Sequence, residues 1–116
     1  MREVSGRILL QDWGGEAGPA TVYVRLFNTT LIDAPARMVN EVVLHRVRLD
    51  RVRNLGIKFS VVAPKVDARA RYEVGVLVDL DGDTKPSHRD YVNTRAYPVL
   101  TRGFPDRVEI RVHPIG

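Results

Sequence analysis

Apolar residues recur at every second position through most of this chain, and no window of useful length keeps a helical stripe. Val22, Val24 and Leu26 alternate with Tyr23, Arg25 and Phe27, while Tyr72, Val74, Val76 and Val78 form the cleanest run. Val4, Ile8 and Leu10 begin a first strand, and Val108, Ile110 and Val112 mark a last one. Between them, Leu55, Ile57, Phe59 and Val61 read as a strand that stops at Pro64, which has no N–H for a sheet ladder. Residues 38 to 49 alternate too, with Val39, Val43, Val47 and Leu49 on one parity and Val42 and Leu44 on the other, so a bulge is expected there. Tyr91 to Leu100 is a sixth strand-like segment, interrupted at Pro98. The expectation is an all-β fold, a two-sheet β-sandwich of about seven antiparallel strands with the second strand central and a short helical turn near Val66 to Arg69.

With 116 residues the chain has room for one core, so residues 1 to 116 are read as a single domain. No apolar run is long enough to cross a bilayer as a helix. There are no cysteines, which removes thiolate catalysis, disulfides and sulfur-ligated zinc. The first residues enter a strand pattern with no basic and apolar leader, so Met1 as the native start points to the cytoplasm, and an upstream signal with a cysteine points to the envelope. The net charge of +4 invites a nucleic-acid reading. The basic residues are scattered among acidic ones, however, and only Arg46, Arg48, Arg51 and Arg53 cluster, so nucleic acid is set aside and those four arginines become the candidate contact for an acidic partner.

Residues 79 to 90, Asp-Leu-Asp-Gly-Asp-Thr-Lys-Pro-Ser-His-Arg-Asp, carry carboxylates at loop positions one, three, five and twelve. Hard divalent cations need several convergent oxygens, and this is the spacing of a calcium loop. Asp79, Asp81 and Asp83 would give side-chain oxygens, Lys85 its carbonyl, Ser87 a direct or water-mediated ligand, and Asp90 the closing carboxylate. Two departures narrow the reading to a solitary, weak site of about 10⁻⁴ to 10⁻³ M: Thr84 stands where the template has glycine, and Pro86 cannot make the backbone bridge of a paired loop. An ordinary strand connection built from turn-forming Asp and Gly is the competing reading, with Lys85, His88 and Arg89 as counter-charges.

The segment Asn93-Thr94-Arg95-Ala96-Tyr97-Pro98-Val99-Leu100-Thr101-Arg102-Gly103, together with Val24 to Ala36 upstream, resembles the YbaY/YscW-type family of small β-sandwich proteins. Lys58-Phe59 to Pro64 and Arg71-Tyr72 keep the order expected for the middle strands. The resemblance implies a sandwich domain found largely in bacterial envelope lipoproteins, some of them pilotins that help a secretin reach or assemble in the outer membrane. The lipobox cysteine and signal sequence of that pattern are missing, so neither lipid anchoring nor the pilotin role carries over, and the expectation keeps the fold and a broad non-enzymatic role.

His45, His88 and His113 fall in separate elements and make no nucleophile, base and acid arrangement, so the chain is not expected to be an enzyme. The leading expectation is a non-enzymatic protein- or peptide-binding module with one calcium in the 79 to 90 loop. The alternative is a carbohydrate- or small-ligand-binding accessory domain using Trp13, Tyr91 and Tyr97 as an aromatic platform.

Overall fold

In the computed structural model, which describes residues 1–87 and 89–115, the chain is all-β, with eight strands and a single helical turn. The strands are β1 (Arg2–Leu10), β2 (Ala20–Asn28), β3 (Arg37–Val47), β4 (Ile57–Ala63), β5 (Tyr72–Asp79), β6 (Tyr91–Val92), β7 (Pro98–Val99) and β8 (Arg107–Pro114). They form a nearly closed, barrel-like sheet in the order β3-β2-β5-β6-β8-β1-β4, with β7 added to β5. The expected two-sheet sandwich of antiparallel strands is thus corrected in two respects. β8 joins both leaves by pairing with β6 on one side and β1 on the other, and its pairing with β1 is parallel. At the open seam, the Asn40 side chain of β3 donates to the Val62 carbonyl of β4 at 2.8 Å.

The alternation read from the sequence becomes the core. Val22, Val24 and Leu26 of β2, Val74, Val76 and Val78 of β5, Val4 and Ile8 of β1, and Ile110 and Val112 of β8 all point inward and are buried. Each such side chain contributes roughly 1.5 to 3 kcal/mol by leaving water. β2 is internal, as its apolar character on both faces suggests, lying between β3 and β5. Parallel pairing of β1 with β8 brings two backbones unusually close at Gly6, where a Cβ would stand 1.7 Å from the Val108 carbonyl oxygen. Only glycine fits that position.

β3 has no clean parity because two bulges interrupt it. Leu26 and Phe27 pair with Asn40 and Met38, leaving Val39 extra, and a second irregularity lies between Leu44 and Val47, where Arg46 takes a left-handed φ of 53°. The strand ends before Leu49, which instead opens α1 (Leu49–Val52). The burial of Leu49 and its N–H bond to the Ala17 carbonyl at 2.8 Å fix that turn. The helical turn therefore falls at 49 to 52, not after Pro64, and Leu55 lies outside β4 and is exposed. Segment 91 to 100 is not one strand but two two-residue strands separated by a loop.

Strand directions give the molecule two ends. One holds residues 11 to 20, 46 to 56, 80 to 87 and 89 to 90; the other holds 28 to 38, 64 to 72 and 99 to 106.

Candidate functional site

The structure converges the four aspartates of the 79 to 90 loop: one oxygen from each of Asp79, Asp81, Asp83 and Asp90 lies within 4.8 Å of the others. Asp79 and Asp90 are buried where β5 ends and β6 begins, whereas Asp81 and Asp83 are exposed. The loop is tightened by its own carboxylates. Asp79 accepts from the N–H groups of Gly82 and Thr84, both at 3.0 Å, and Asp90 accepts from Leu80 N–H at 2.9 Å, Ser87 N–H at 3.1 Å and the Ser87 hydroxyl at 3.0 Å. Ser87 also bonds the Asp81 carboxylate, and Lys85 N–H donates to Asp83 at 3.1 Å. Gly82 and Thr84 both take left-handed backbone, φ 76° and 63°, so the β-branched Thr84 adopts the turn that the template reserves for glycine.

The carboxylates are electrostatically unequal. Burial, followed by the hydrogen bond with Asp81, raises Asp79 above its ordinary 3.8, against the pull of the Thr84 and Gly82 amides. The Ser87 hydroxyl, and next Asp79, lower Asp81 to about 2. The four-aspartate cluster has the donor set for a hard cation. The aspartate oxygens also cap the backbone of the turn. Arg89 is exposed and its N–H bonds the Ile115 carbonyl at 3.3 Å; His88 lies outside the described residues.

The arginine cluster is divided in the fold. Arg48 pairs with Asp50 at 3.3 Å, and Arg53 lies over the Trp13 ring at 4.6 Å. Arg46 and Arg51 are exposed and make no ion pair among the described residues.

The aromatic residues of the carbohydrate reading are occupied. Trp13 packs against the core, donates its indole N–H to the Glu16 carbonyl at 3.0 Å and is covered by Arg53. Tyr91 is fully buried, with its hydroxyl donating to Glu16 at 2.9 Å and accepting from Gly14 N–H at 3.1 Å. Tyr97 is buried as well and accepts from Arg111 N–H at 2.9 Å. They tie loops to the barrel and form no exposed platform.

Sequence reasoning passed over the far end. There Leu31 and Ile32 are exposed in the β2–β3 loop, beside a cleft of about 240 Å³ lined by Leu31, Pro35 and Ala70, with Arg37 and Arg69 at its rim. The available signal was an adjacent apolar pair inside an otherwise polar loop.

Across its whole length the chain shares its fold with a solved structure. The structure of an alternative pilotin from the type II secretion system of Vibrio cholerae superposes with a TM-score of 0.74, covering 99% of this chain and 97% of that one at 18% identity. This is a likeness of fold. No protein-family model and no curated protein matches the chain.

Proposed function

We propose that this chain is a non-enzymatic, pilotin-like module that binds a protein partner in bacterial secretion. The observation carrying the reading is the end-to-end fold likeness to the Vibrio cholerae pilotin, which leaves neither protein with a large unmatched part. The sequence resemblance to YbaY/YscW-type proteins, carried by residues 93 to 103, supports the same class and suggests a secretin as the partner. Two basic surfaces are open to acidic groups on it, Arg46 and Arg51 beside the 79 to 90 loop and the arginines of the opposite end. Isothermal titration of the purified chain with the purified secretin subunit of the same organism tests the reading. Saturable one-to-one binding is expected, and absence of heat and of co-elution at high micromolar concentrations overturns it.

The 79 to 90 loop is read as a solitary calcium loop that stiffens this end of the barrel, with Asp79, Asp81, Asp83, the Lys85 carbonyl and Asp90 as ligands. Its support is the convergence of the four carboxylates and the left-handed turn at Thr84. Adding millimolar calcium should shift the amide resonances of residues 79 to 90 and chelator should reverse the change; an unchanged spectrum leaves the loop as a self-capped turn.

A further inference from the structure

The two ends of the barrel differ in what they expose: the acidic loop shares its end with the 46 to 53 arginines, and most exposed large apolar side chains gather at the other. Among the described residues, five of the six exposed large apolar side chains, Met1, Leu31, Ile32, Met38 and Phe104, sit at the end away from the acidic loop. Leu31 is 72% exposed and Ile32 93%, a level at which apolar side chains are unsupported by their own fold. The same end carries a basic rim. Arg37 and Arg69 line the cleft, Arg71 is anchored beside it through its N–H to the Thr30 hydroxyl at 3.0 Å, and Arg102 reaches over to the Arg69 carbonyl at 3.2 Å. None of these four arginines is ion-paired among the described residues. Of the nearby acids, Asp67 is exposed on the wall of the same cleft and accepts from Arg69 N–H at 2.9 Å, and Asp33 stands on the exposed loop.

We infer that this end is the docking surface for an acidic amphipathic segment of the protein partner, whose apolar side chains pack on Leu31, Ile32 and the neighbouring cleft while its carboxylates meet Arg37, Arg69 and Arg71. The inference rests on the protein-binding reading above and adds the place and the chemistry. Charge complementarity selects the occupant: unpaired guanidiniums around apolar groups favour carboxylates around apolar groups. Concavity separates a peptide from a lipid surface, because a cleft of about 240 Å³ with an apolar wall accepts a protruding side chain, whereas a bilayer offers none to fill it. Arginine in particular suits the role, since its planar fork holds a carboxylate through two hydrogen bonds.

The test uses the full chain with isotope-labelled amides and three probes: a short synthetic helical peptide of Glu and Leu, its Lys and Leu counterpart, and vesicles containing anionic phosphatidylglycerol. The Glu peptide should shift resonances in 28 to 38 and 66 to 71, and Arg37→Glu with Arg69→Glu should weaken it by about tenfold or more. Ile32→Ser should weaken it too, while Arg46→Glu with Arg51→Glu should not. All these side chains are exposed, so the variants should keep the parent's dispersed spectrum. Equal binding of the Lys peptide, shifts confined to 46 to 53, binding to vesicles alone, or no shift at millimolar peptide each overturn the proposal. If the secretin subunit binds but the Arg37 and Arg69 variants bind it equally well, the surface is wrong and the function stands. If the Glu peptide binds as expected and the secretin subunit does not, the surface stands and the secretion reading falls.

Discussion

Gly6 has no side chain in a strand otherwise full of them, because the Val108 carbonyl occupies the space a Cβ would need. Gly6→Ala must push β1 away from β8, and overpacking against backbone costs about 3 kcal/mol. Urea unfolding followed by Trp13 fluorescence should show that loss; an unchanged midpoint would mean the two strands are not held so closely. Asp81 makes a second test with a pH sign. Its pKa is about 2 in the fold against an ordinary 3.8, so its contribution is present above 3.8 and is lost as the pH falls towards 2. Asp79, shifted upward, works in the opposite direction, gaining as it protonates. Asp81→Asn should therefore make stability fall less steeply over this window, by about one proton or less in the slope, in unfolding curves taken at stepped pH. The acidic spacing was legible in the sequence. The capping of Gly82, Thr84, Leu80 and Ser87 amides by the same carboxylates was not, because spacing says nothing of where a carboxylate's second oxygen points.

Elements with one buried face announced themselves. In β2, and in β5 as far as Val76, the burial follows the alternation of the residues, whereas Leu77 and Asp79 on the other face of β5 are buried as well. β3 did not, because bulges near Val39 and Arg46 change which parity faces in. Leu49 and Leu55 fitted the strand pattern locally, yet tertiary packing put the first into a helical turn and left the second in water. The segment 93 to 103 that carries the family resemblance runs along the edge of β5 and sends Tyr97, Val99 and Leu100 into the core. Asn93 accepts from Val76 N–H at 2.8 Å, Pro98 and Val99 pair with β5, and Thr101 donates to the Ala70 carbonyl at 2.6 Å. Those residues read as a motif because each has a bond to make. Tyr91, at the start of β6, ties down the 11 to 19 loop through Gly14 and Glu16. Tyr91→Phe should destabilise by about 1 to 2 kcal/mol, since it strands a partly buried N–H and a carboxylate. It should also make that loop the first site of limited proteolysis; parent-like cleavage would show that the loop is held by other contacts.

At the scale of the whole molecule, closure depends on pairings that no local pattern encodes. The parallel register of β1 with β8 joins residues about as far apart as the chain permits, so the sequence showed strands but not a near-barrel. The same closure gathers the four-aspartate loop and the 46 to 53 arginines at one end and most exposed apolar side chains at the other, although these residues are scattered along the chain. The apolar end gives the proposed protein-binding role a place at which it can be tested. Amide hydrogen exchange across the chain, with and without saturating secretin subunit, tests it most directly. The account predicts slowed exchange in residues 28 to 38 and 66 to 71, with the 46 to 56 segment unchanged; no slowed segment anywhere would contradict it.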